Sequence, residues 1–161
     1  MVPAWLQMPF SRGNVTITDS DIFTPPEVFV NWLNVDFDLE LQTAIVRATR
    51  KILNDPAFAG ILAGETSPGI DTVPDDGNGG TDSDWQSWIW QSFFAVFHPV
   101  GTAAMMRRDW GGVVDGKLRM YDTLNLRIVD ASILPIELSA HLQSSLYGVA
   151  EKAADIIKAG L

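Results

Sequence analysis

The chain has 161 residues, 47% of them hydrophobic, a formal charge of −9 and no cysteine. That length and apolar share suit one globular domain with a real core. The acidic balance disfavours nucleic acid and anionic membrane surfaces, the missing thiols exclude disulfides and thiolate metal sites, and no apolar run reaches the roughly 20 residues of a spanning helix. No nucleic acid and no membrane are therefore expected among its partners.

Met1-Val2-Pro3-Ala4-Trp5 has neither a basic n-region nor an apolar h-region, so no signal peptide is expected, and the compartment stays open. Asn14-Val15-Thr16 is an N-glycosylation sequon of a kind that often arises by chance. After Ser11-Arg12-Gly13, the alternation of Val15 and Ile17 with polar residues predicts a short strand over 14–18 with one buried face. Thr24-Pro25-Pro26 breaks the chain, and a second strand is expected over 27–30 before an Asn31-Trp32-Leu33 turn.

Leu41, Ala44, Ile45, Ala48 and Ile52 recur at helical spacing and predict an amphipathic helix whose core face they form. Asp36, Asp38 and Glu40 at its start and Arg47, Arg50 and Lys51 at its end complement the helix dipole, and Asn54-Asp55-Pro56 stops it. Residues 63–84, rich in Gly, Pro, Asp, Thr and Ser, are expected to form a solvated, mobile acidic loop. Read as a calcium loop from Asp76, this segment puts Thr81 where Gly is needed and Ser87 where a bidentate Glu belongs, so no metal is expected.

Asp84-Trp85-Gln86-Ser87-Trp88-Ile89-Trp90-Gln91-Ser92-Phe93-Phe94-Ala95 predicts an aromatic-rich buried helix with Ser83 or Asp84 as N-cap. Further on, strands are expected over 111–115, 117–121 and 125–129, the first two joined at Gly116. A last helix is expected from about Gln143 to Ala159, with Leu146, Val149, Ala150, Ala153 and Ile157 as its stripe and Gly160 ending it.

The chain's two histidines, His98 and His141, each sit in a distinctive stretch. Pro99 breaks regular structure after His98, and Gly101 permits close approach of backbone or of a flat ligand. A titratable group at such a break is a candidate base, although a lone His is more often structural. His141 precedes Leu142-Gln143-Ser144-Ser145, a helix start with no acidic side chain, whose free N–H groups are open to an anion, to a polarised carbonyl or to water. Asp130-Ala131-Ser132 reads locally as an Asx turn. Phe97 reads equally as a core aromatic or as a pocket wall.

The ordered series His98-Pro99-Val100-Gly101-Thr102-Ala103-Ala104-Met105, then Val129-Asp130-Ala131-Ser132-Ile133-Leu134-Pro135, then His141 at a helix start, resembles the C-terminal portion of the glucose–methanol–choline (GMC) oxidoreductases. The ending of the chain looks most like fungal members of the aryl-alcohol and glucose oxidase type. The resemblance implies an α+β fold: short antiparallel strands of the substrate domain plus helices, with a final strand–helix segment belonging to the FAD-binding domain. Residues 1–128 would be the substrate-binding region carrying loop 63–84, and residues 129–161 the segment returning to the FAD-binding domain. It implies FAD as cofactor and hydride transfer from an alcohol CH–OH group to flavin N5. His98 would be the base and His141 its partner, Asp130, Ala131, Leu142 and Gln143 would contact the cofactor, and Phe97 would line the pocket for a small-molecule alcohol.

Related reactions stay open: a lyase or cyclase that keeps FAD structurally, or a non-catalytic subunit or fragment. Met106 and Asp122 stand where the family often has Gly. The family's Gly-x-Gly-x-x-Gly turn for the ADP half of FAD does not occur here, because Gly77-Asn78-Gly79-Gly80 follows no strand. An N-terminal FAD-binding half, absent from this chain, is thus an expected partner.

Overall fold

The computed structural model describes residues 4–160. Among them lie a two-stranded antiparallel hairpin, β1 (Asn14–Thr16) and β2 (Glu27–Phe29), and three helices, α1 (Asp36–Leu53), α2 (Asp82–Ser92) and α3 (Gln143–Lys158). Short 3-10 turns occupy Pro56–Phe58, Arg108–Trp110 and Ala131–Ile133. The chain divides into two compact units: one carries residues up to Gly13 together with Val30–Phe94, the other Asn14–Phe29 together with the stretch from Ala95 onward. No described helix is long and apolar enough to cross a membrane.

In the first unit the core is Val46, Val73, Trp85 and Ile89, with Leu33, Leu39, Trp88 and Phe93 packed against it. The edge-to-face stack of Trp85 on Trp88, with centroids 5.7 Å apart, concentrates apolar area in few side chains. Helix α2 begins two residues before the expected start, because Thr81 caps it: its hydroxyl accepts from the Asp84 amide and donates to the Asp84 carboxylate. It also ends earlier, at Ser92.

Helix α1 forms where the sequence predicts it but buries a different face. Asp38, Thr43, Val46 and Arg50 point inward, whereas Ala44, Ala48 and Ile52 are exposed. The reason is that polar groups on the inner face are fully partnered. Asp38, 1% exposed, accepts from the Phe10 amide (2.8 Å), the Ser11 amide (2.7 Å) and the Ser11 hydroxyl (2.5 Å), tying the N-terminal segment to the helix start. The Arg50 guanidinium makes a bidentate pair with Glu65 (2.8 and 2.7 Å), donates to the carbonyls of Val73 and Gly79, and lies 4.3 Å over the Trp85 ring. A buried charge so enclosed is tolerated only with its partners in place.

The acidic loop is tethered by the same carbonyl. Trp85 Nε1 donates to Gly79 O at 2.8 Å. Asp75 and Asp76 each turn a carboxylate oxygen back onto two amides, those of Gly77 and Gly79 and those of Asn78 and Gly80. The segment expected to be a mobile loop is therefore built from successive Asx turns anchored to the core. Among the described residues, no group of three or more His, Asp or Glu gathers as a metal site.

In the second unit Val114, Leu118, Ile133 and Ala153 form the core, with Val113, Met120, Ile128, Val149 and Ile156 around them. The hairpin pairs Val15 with Val28, yet both strands are exposed along their length, so the expected buried face is not covered within this chain. The three strands expected over 111–129 shrink to isolated bridges: Met105 with Val114, Val114 with Met120, and Arg119 with Arg127. Left-handed residues at Leu118, Asp122 and Asn125 (φ of 65°, 60° and 60°) turn the chain every few residues, which prevents a ladder from extending. Helix α3 matches its expected span to within a residue, although Ile156 rather than Ile157 packs on the core.

Burial acts to raise the Asp38 carboxyl, but the hydrogen bonds from Phe10 and Ser11 and the charge of Arg12 outweigh it and hold Asp38 below the ordinary carboxylate value. A depressed folded-state value stabilises the fold at pH above the unfolded value of about 3.9 and is lost as pH falls through the folded value. The stability gap between the protein and Asp38→Asn is therefore expected to be constant near neutrality and to narrow below about pH 4, read by urea unfolding across pH. Glu65→Ala strands the Arg50 charge and is expected to cost about 3–5 kcal/mol in the same assay.

Candidate active site

Two segments of the second unit hold each other. The Ala103 amide donates to Ser132 O (3.0 Å) and the Met105 amide to Ile133 O (2.8 Å), so the His98-Pro99-Val100-Gly101 stretch is strapped to the Asp130-Ala131-Ser132 turn. Gly101 is left-handed (φ of 86°), which is what calls for glycine there, since a Cβ would stand at ordinary contact distance, 3.4 Å, from Leu134 O. Asp130 caps the 3-10 turn Ala131–Ile133 by accepting from the Ser132 amide at 2.7 Å, the Asx bond expected of it. The Asp130 side chain is exposed and Ala131 is half-buried.

The two histidines, 43 positions apart in sequence, meet. His98 Nε2 and His141 Nδ1 lie 3.3 Å apart, with ring centroids at 5.0 Å and planes at 81°. A hydrogen bond between these nitrogens needs one to donate and the other to accept, so its direction follows the tautomers of the two rings. His98 is half-buried and His141 exposed, which leaves the pair facing outward from a backed position. Such a pair can accept a proton from a hydroxyl and hand a hydrogen bond back to the same oxygen.

Leu142, directly after His141, is 2% exposed and anchors the start of α3, so only its backbone is available to a ligand, whereas Gln143 is exposed. The first turn of α3 has no side-chain cap and no acidic residue. Its N–H groups form a donor set of the kind that suits a carbonyl carrying negative charge. Phe97 is 87% exposed within this chain and is left-handed (φ of 61°), so no core of this chain holds its ring.

Sequence reasoning missed this left-handed Phe97, since no local pattern marks it. It also missed Gly112, where a Cβ would lie 2.1 Å from Met106 O. That carbonyl additionally accepts from the Tyr121 hydroxyl at 3.1 Å. Of the two positions where the resemblance implies Gly, Asp122 is left-handed, a conformation glycine suits, and its carboxylate pairs with Arg108. Met106 is not left-handed and needs no glycine.

The family model described as GMC oxidoreductase, that of its C-terminal domain, matches residues 9–150. This chain belongs to the GMC oxidoreductase family, whose cofactor is FAD. Among curated relatives it is 41% identical over 156 residues to the GMC oxidoreductase family protein Mala s 12 of Malassezia sympodialis, covering 97% of this chain and 24% of that protein. A fungal aryl-alcohol oxidase structure superposes with a TM-score of 0.77 at 34% identity, covering 94% of this chain and 24% of that one. An FAD-dependent oxidoreductase from Chaetomium thermophilum gives 0.84 at 29% identity, covering 96% and 26%. The chain thus spans about a quarter of the length of the proteins it matches.

Gly112→Ala places a methyl group against the Met106 carbonyl and is expected to destabilise the second unit by about 1–3 kcal/mol, measured as a lowered thermal midpoint.

Proposed function

We propose that this chain is the C-terminal catalytic region of an FAD-dependent alcohol oxidase or dehydrogenase, completed by an N-terminal FAD-binding portion. In this reading residues 1–128 contribute to the substrate side and residues 129–161 return to the FAD-binding side. The observation that carries it is the 3.3 Å approach of His98 Nε2 to His141 Nδ1 from two separate motifs.

Oxidising a CH–OH group to a carbonyl removes a proton from oxygen and a hydride from carbon. FAD, when bound, supplies the hydride acceptor. His98 takes the hydroxyl proton, at the half-buried position of the pair. His141 holds the alcohol oxygen by a hydrogen bond and orients the C–H bond. The exposed Phe97 ring offers an apolar wall for the rest of the alcohol.

The uncapped first turn of α3, at Leu142 and Gln143, fits a cofactor carbonyl that gains negative charge, through backbone donors rather than side chains. Asp130 and Ala131, at the start of the neighbouring 3-10 turn, are the remaining cofactor contacts. Exposed Val15, Ile17, Val28 and Phe29 on the hairpin, and Ile52 on α1, support a partner portion that covers them.

In the protein completed with the FAD-binding portion of a relative, His98→Ala is expected to lower kcat for alcohols by about 10²–10⁴-fold. Unchanged turnover would remove His98 from the mechanism. Bleaching of the flavin absorbance by an alcohol under anaerobic conditions separates oxidation from a lyase reaction, which leaves it unbleached.

A further inference from the structure

The residue before the proposed base has a backbone that a large L side chain rarely adopts. Phe97 is left-handed (φ of 61°) while its ring is 87% exposed, so packing of the ring within this chain does not account for the conformation. Pro99 limits the backbone on the other side of His98, and Gly101 is left-handed in turn (φ of 86°). His98 therefore lies between two left-handed residues, and the strap from Ala103 to Ser132 and from Met105 to Ile133 holds the chain beyond Gly101. Backbone strain of this kind persists where the surrounding structure enforces it, and it concentrates where a side chain must be aimed.

We infer that Phe97 is a positioning residue whose left-handed backbone, independently of its ring, aims the His98 imidazole at His141. This rests on the reading of the pair given under Proposed function, but it makes a separate claim about which property of Phe97 matters. A residue that tolerates the left-handed region should replace Phe97 without moving His98, whereas one that resists it should not.

Four variants separate ring from backbone. Phe97→Asn and Phe97→Val both lose the ring, but Asn tolerates the left-handed region and a β-branched residue resists it. Phe97→Gly and Phe97→Ala differ only by a Cβ and repeat the comparison more gently should the Val variant fail to fold. The first readout is the imidazole-to-imidazole contact of histidine-labelled protein by NMR, which needs no cofactor and no turnover. The contact is expected to survive in the Asn and Gly variants and to weaken or vanish in the Val and Ala variants.

The second readout is alcohol turnover in the protein completed with a relative's FAD-binding portion. There kcat is expected to fall by about a hundredfold for Val and Ala relative to Asn and Gly, with KM little changed, as misaimed chemistry rather than lost binding requires. If all four variants keep the contact, or all four lose it, the backbone claim is overturned, since the conformation is then incidental or the ring is what matters. If the unsubstituted protein makes the contact but turns over no alcohol, the acid–base reading of the pair fails instead, and the NMR comparison still decides the role of Phe97.

Discussion

The second unit depends on two backbone hydrogen bonds, Ala103 to Ser132 and Met105 to Ile133. They join stretches about 30 residues apart and fix the path of the chain just after His98. Ile133 lies in the buried cluster with Val114, Leu118 and Ala153, so the strap and the core stabilise each other. Each bond contributes only about 1 kcal/mol net, but leaving the amide of the buried Ala103 unpaired would cost more. The imidazole pair rests on this frame.

The first unit is organised by a different device. Its helix α1 turns polar groups inward, Asp38 at one end and Arg50 at the other, and each holds a segment distant in sequence. Asp38 gathers the amides of Phe10 and Ser11, while Arg50 gathers Glu65 and the carbonyls of Val73 and Gly79. Such interactions fix one arrangement more sharply than they add stability, because each leaves an unpaired buried group if any partner moves. The acidic loop acquires its order this way, although its composition reads as solvent-exposed.

Apolar periodicity located all three helices, and chain punctuation located their ends to within a few residues. It misjudged which face of α1 is buried, because a count of hydrophobic residues gives no weight to a charged side chain such as Arg50, held by four hydrogen bonds. It also overcalled strands over 111–129. Val, Leu and Ile alternate there as in a sheet, but left-handed turns at Leu118, Asp122 and Asn125 depend on contacts that local alternation does not encode. The Asx turn at Asp130 and the uncapped start of α3 were legible because each is a property of three or four adjacent residues.

By itself, the sequence determined which residue types can do chemistry here: two imidazoles, an Asx turn and a helix start free of acidic side chains, each written in a short contiguous stretch. It also determined the family, through motifs long and ordered enough to carry it. Only the tertiary structure decided that His98 Nε2 and His141 Nδ1 stand within hydrogen-bond reach, that Phe97 is left-handed, and that Gly112 must lack a Cβ. The physical reason is common to all three. Each is a relation between segments brought together by folding, set by cross-chain hydrogen bonds and steric exclusion, and no spacing along the chain reports it.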